Sequence, residues 1–133
     1  MSNTMGNKYN SSNAETLSGA KTLAVTDAKF QFLDPGGSAR NVDLPDLRTL
    51  TTDTNSEGTG DAGTDRYVDA QGGFFSISNT ADGSEVITVR GWNGSSTTGT
   101  ICTPTQNETA FLYWTGADNG WIGIAGSDAQ AMK

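Results

Sequence analysis

The sequence predicts an all-β domain, a small antiparallel sandwich or barrel of short strands, preceded by an extended N-terminal arm. Short apolar or alternating runs recur along the chain, each bounded by turn formers. Seventeen glycines, with abundant Thr, Ser, Asn and Asp, suit many strands and tight connections. No stretch carries the 3.6-residue apolar period of an amphipathic helix of normal length. By length the chain is one domain, divided into an arm over residues 1–18, a β-domain over 19–126 and a tail over 127–133.

The arm is polar, rich in Asn and Ser, and without periodicity, so it is expected to be extended and flexible. Met5 and Tyr9 are its only anchors, with Lys8 beside them. Thr22 to Thr26 and Phe30 to Leu33 are the first strand-like runs, and Asp34-Pro35-Gly36-Gly37 reads as a turn leading to a hairpin return. Arg40 to Leu44 alternates, with Val42 and Leu44 inward, and Pro45 stops it. Residues 49–63 form a polar excursion without β-pattern. Phe74 to Asn79 is the next strand, joined through Asp82-Gly83 to Val86 to Arg90 as a second hairpin. A Gly/Ser/Thr loop and a short Thr100 to Thr103 strand precede Pro104. The tail is expected to fray.

Residues 108–125, ETAFLYWTGADNGWIGIA, are the most informative segment, because they read as a β-hairpin apolar on both faces. A five-residue loop from Gly116 to Gly120 sets Thr115 opposite Trp121, Trp114 opposite Ile122 and Leu112 opposite Ile124. Ala110, Leu112, Trp114, Ile122 and Ile124 then share the core side. Phe111, Tyr113 and Trp121 share the other, with Gly123 opposite Tyr113. That second face is expected to meet another subunit.

Composition supports the same expectation. Leu, Ile, Val and Phe together make 22 of 133 residues, under the roughly 20% below which a highly charged chain tends toward disorder. So thin a core gains from association, and an oligomer is expected. The net charge of −7 argues against direct nucleic-acid binding, since the eight Lys and Arg are scattered. No apolar run is long enough for a membrane span or a secretory leader, so synthesis in the cytoplasm is expected. The single cysteine, Cys102, reads as a buried or half-buried strand residue.

With no histidine in the chain, Ser-His-Asp and Cys-His catalysis and histidine-ligated metals are excluded. Carboxylates are numerous enough for a glycosidase, yet no pair stands out from the turn-forming aspartates, and no enzyme or cofactor is expected. The GxGxxG string at residues 58–63 follows no strand and opens no helix, so it is a chance match. Asp53, Asn55 and Glu57 resemble the start of a calcium loop, but the twelfth position is Thr64 rather than Glu, and a solvated acidic loop is the plainer reading. Trp92 and Trp121 could stack on sugar rings, with subunit packing the competing role.

The succession TLAVTDAKFQFLDPGGSARNVDLP, GGFFSISNTADGSEVITV and ETAFLYWTGADNGWIGIA resembles a β-module recurrent in tailed-bacteriophage virion proteins, both head decoration and fibre-type proteins. The matching features are Leu44-Pro45 after a strand, Ile77 to Gly83 at a strand end and turn, and Thr109 to Trp121 as the closing aromatic strand and turn. The resemblance implies a structural role on the virion exterior and commonly a homotrimer. A single module without coiled coil or repeats favours a capsid decoration protein that binds the major capsid protein, with Met5, Lys8 and Tyr9 of the arm in contact with the capsid. The alternative it implies is a tail or fibre adhesion module that binds host-surface glycans through Trp92, Trp121 or Tyr113.

Overall fold

A computed structural model of the chain describes residues 12–48 and 73–126. They form nine strands: β1 (Ser12–Thr16), β2 (Lys21–Thr22), β3 (Phe30–Asp34), β4 (Arg40–Asp43), β5 (Phe74–Asn79), β6 (Ile87–Gly91), β7 (Gly99–Cys102), β8 (Thr109–Trp114) and β9 (Trp121–Gly126). Two sheets result, one ordered β1-β3-β5-β8-β9 and the other β2-β4-β6-β7. The all-β class is as the sequence predicts. The strand directions are not, because both sheets are mixed.

β1, β3 and β5 pair in parallel, as do β2, β4 and β6, whereas β7, β8 and β9 add antiparallel. The chain therefore winds through three stacked coils, each passing from the larger sheet to the smaller. Parallel neighbours need a crossover, and here the opposite sheet supplies it. The turns at 34–37 and 80–84, expected to close hairpins, instead bend the chain between sheets. Buried residues just past the strands explain this: Leu17 and Pro35 directly follow β1 and β3, Ala81 comes two residues after β5, and all three turn the chain inward. Asn79 holds the third corner, donating through Nδ2 to the carbonyls of Glu85 and Pro104 at 3.0 Å and accepting from the Ala81 N–H at 2.9 Å.

The expected arm boundary at residue 18 is also corrected, since Ser12–Thr16 is a sheet strand. Its core-side positions are polar, which removes the apolar period that marks other strands. Asn13 donates to Gln31 Oε1 at 2.9 Å, and Glu15 pairs with Lys21 across the two sheets at 2.6 Å. These residues close one end of the core with hydrogen bonds in place of hydrocarbon. Met5, Lys8 and Tyr9, the excursion at 49–63 with Asp53, Asn55 and Glu57, and the tail at 127–133 lie outside the described residues.

The core between the sheets is built from Leu23, Leu33, Val42, Leu47, Phe75, Ile77, Ile87, Val89 and Leu112, with Trp114 and Trp121. Trp121 stands 6.0 Å from Phe75 and 5.7 Å from Trp114, centroid to centroid. Along one side β9 approaches β7, where a Cβ added to Gly123 would stand 3.2 Å from Ile101 Cγ2 and 2.8 Å from Leu112 Cδ2. The missing side chain is what lets the sheets close there.

Candidate interaction surface

The β8–β9 hairpin forms as expected, but one residue out of the expected register. Trp114 pairs with Trp121, Tyr113 with Ile122, Leu112 with Gly123 and Phe111 with Ile124. The loop sets this. Thr115 donates both its backbone N–H (2.8 Å) and its hydroxyl (2.6 Å) to the Gly120 carbonyl, which sets Gly120, at φ 72°, rather than Trp121 opposite Thr115 and leaves four residues between them. Because side chains alternate with period two, the shift exchanges the faces of the whole second arm. Ala110, Leu112 and Trp114 face the core as predicted. Ile122 and Ile124 do not.

Trp121 is correspondingly corrected as a subunit or glycan contact. It is 2% exposed, and its Nε1–H donates to the Pro45 carbonyl at 2.9 Å. The outer face of the larger sheet instead carries Phe111 and Tyr113 from β8, Ile122 and Ile124 from β9, Phe74 from β5 and Phe30 and Phe32 from β3, all placed on one side by the register. Tyr113 is 49% exposed, Ile122 52% and Ile124 73%. The rings form a row across three strands, Phe30 6.0 Å edge-on to Phe74 and Phe74 5.3 Å from Tyr113. Ser76, between Phe30 and Phe111 in register, is buried beneath its neighbours, and the Ser78 and Thr109 hydroxyls bond each other at 2.8 Å. Among the described strand residues, Asp34, at the end of β3, is the only charged one on this side.

The smaller sheet has the opposite character. Its outward positions include Thr22, Asn41, Asp43, Thr88 and Arg90, with Arg90 bound through two nitrogens to Asp43 at 2.7 and 2.9 Å. One molecule thus has a polar outer sheet face and an apolar one. Sequence reasoning placed Phe111 and Tyr113 on the apolar face but missed Phe30, Phe32 and Phe74. The alternation of Phe30 and Phe32 around buried Gln31 is the signal that could have found them.

Trp92 is half-buried and already occupied. The Arg48 guanidinium lies 3.6 Å over its ring, Nε1–H donates to the Ala117 carbonyl at 2.7 Å, and Arg48 also binds Asp46 in bidentate fashion at 3.0 and 2.8 Å. One ring face is therefore unavailable to a sugar. The same guanidinium, by its hydrogen bonds, holds the Asp46 carboxyl below its ordinary value. Cys102 is half-buried as expected, and burial pushes its thiol up to about 11, so it is not a thiolate at neutral pH. Among the described residues, a shallow groove of about 350 Å³ opens at the β1–β2 end, lined by Asn13, Glu15, Lys21, Asp27 and Gln31. Of its charged members, Glu15 and Lys21 are paired with each other, and Asp27 accepts from the Ala24 N–H at 2.8 Å.

No helix among the described residues is long and apolar enough to cross a membrane. No protein-family model matches the chain, and no curated protein sequence matches it.

Proposed function

We propose that the protein is a structural protein of a tailed-phage virion, a head decoration protein that associates with copies of itself, as a homotrimer, and binds the major capsid protein on the particle exterior. The observation that carries this reading is the apolar outer face of the five-stranded sheet. The four strands that carry it, β3, β5, β8 and β9, about 4.8 Å apart and roughly 17 Å long, present a footprint of about 300 Å². A patch of that size on a soluble chain is characteristically an interaction site. A chain of net charge −7 repels its own copies, yet this face brings almost no charge to the contact, so self-association there escapes most of that penalty. The resemblance of the strand and turn succession to phage virion modules supplies the virion setting.

Magnitude refines the proposal. At about 25 cal/mol/Å² the face contributes on the order of 10 kcal/mol, comparable with the 4–15 kcal/mol that association costs in lost freedom. Subunits therefore associate weakly in dilute solution and strongly where a capsid lattice holds them close together. The test compares capsids stripped of the protein with the same capsids after it is added back, heated or pressurised to rupture. Added protein is expected to bind at saturable sites and raise the rupture threshold. Absence of binding, or equal thresholds, would refute the decoration reading.

A further inference from the structure

We propose that the Glu15–Lys21 ion pair and the Asn13–Gln31 hydrogen bond guard the open end of the coil stack, keeping a second copy of the chain from pairing onto β1 and β2. At the opposite end of the stack β8 and β7 add antiparallel to β5 and β6, and β9 continues beyond β8. The β1–β2 end has no such covering: among the described residues, the outer edges of β1 and β2 pair with no strand. The register runs in step from coil to coil, Ala14 beside Phe32 beside Ser78 in one sheet and Lys21 beside Val42 beside Val89 in the other. Two in-step edges of this kind are a ready template for one more layer of strands, and a second copy brings two such edges of its own.

The side chains at the core positions decide whether that template is used. Glu15 and Lys21 stand in register with the buried Leu33 and Val42, so both lie on the inner side of their sheets, where they pair at 2.6 Å. At the end of the stack they keep contact with water, their side chains 37% and 24% exposed. A further layer would remove that water, and the hydration lost on burying an ion pair commonly exceeds the attraction regained. Asp27 lines the same groove and adds a negative charge, so two copies meeting end to end bring like charges together. Asn13 and Gln31 are engaged within the chain: Asn13 Nδ2 donates to Gln31 Oε1 at 2.9 Å, and Gln31 Nε2 donates to the Ala28 carbonyl at 2.8 Å. Apolar side chains in these places, beside Leu33 and Val42 of the next coil, would make the end a hydrocarbon edge open to pairing. With the guard in place, association is left to the outer face of the larger sheet, a consequence that rests on the function proposed above.

The test uses the whole chain carrying Ile122→Asp and Ile124→Asp, which removes association through the outer face. Sedimentation over a range of concentrations is expected to show this background monomeric, and the same chain with Glu15→Val and Lys21→Val self-associating at least about tenfold more tightly. Exchanging the pair, Glu15→Lys with Lys21→Glu, keeps both charges at the end and is expected to leave the chain monomeric. Glu15→Gln with Lys21→Gln removes the charges and is also expected to associate, so the test survives a valine variant that fails to fold. Hydrogen exchange locates the contact, with β1 amides gaining protection as the neutral variants associate. Neutral variants that are folded yet no more associated than the background, an exchanged pair that associates as readily as the valine variant, or association without added β1 protection overturns the proposal. A background that is itself oligomeric refutes the outer-face reading instead, and the comparison of its association with that of the neutral variants still decides this one.

Discussion

Trp121 shows how much a single residue decides. Its indole fills the space between Phe75 and Trp114 and donates to the Pro45 carbonyl, so one side chain joins the last strand to the chain leaving β4. Trp121→Ala is expected to destabilise by about 3–5 kcal/mol, the ordinary cost of emptying a large aromatic site. Trp121→Phe keeps most of the ring volume but leaves the Pro45 carbonyl without this donor, for about 1–3 kcal/mol. Urea unfolding of both variants checks the order; an alanine variant within 1 kcal/mol of the parent would place the ring outside the core. In the sequence this residue was legible as a large aromatic in a hairpin. Which face it took was not, because that rests on whether Thr115 stands opposite Gly120 or opposite Trp121.

The register of β8 against β9 is decided at the element scale. Gly120 adopts φ 72°, and an added Cβ would collide with the Trp92 backbone carbonyl, so Gly120→Ala is strained twice over. A loss of more than about 1 kcal/mol is expected, with Trp92 released from the Ala117 carbonyl. Tryptophan fluorescence and a urea midpoint would detect both, and an unchanged midpoint would contradict the packing described. The first coil titrates. Lys21, chiefly by its hydrogen bond, lowers the Glu15 pKa below the ordinary 4.5, so the stabilising charge is present above that value and is lost as pH falls below it. The pair is solvent-exposed, so the effect is local and small. Hydrogen-exchange protection of β1 amides is expected to fall below pH 4.5 while that of β5 persists; parallel behaviour of the two strands would show that the pair does not hold β1. The strand itself escaped the sequence because Asn13 and Glu15 occupy its core-side positions, and no apolar period announces a polar cap.

At the scale of the whole molecule, strand existence was largely legible: Phe74–Asn79 matches the sequence pattern at both ends, and Thr109–Trp114 falls within the arm read from Glu108 to Thr115. Topology was not, because a turn such as Asp34-Pro35-Gly36-Gly37 reverses the chain equally well within a sheet or between sheets, and only the burial of Pro35 beside Leu17 selects the second. The same ambiguity concealed the outer face, which gathers residues from β3, β5, β8 and β9 that are distant in sequence. Its consequence for assembly can be measured. Ile122→Asp with Ile124→Asp places two charges at positions 52% and 73% exposed, where the subunit's own core is untouched, so folding is expected to change by no more than a few tenths of a kcal/mol. Between copies, the same charges are desolvated and face one another, which is expected to weaken association at least tenfold. Sedimentation over a range of concentrations should show the parent shifting from monomer toward trimer while the variant stays monomeric, and circular dichroism should show both equally folded. A variant that is folded and still trimeric would mean that the subunits meet through some other surface, leaving the aromatic row of Phe30, Phe74 and Tyr113 for the capsid instead.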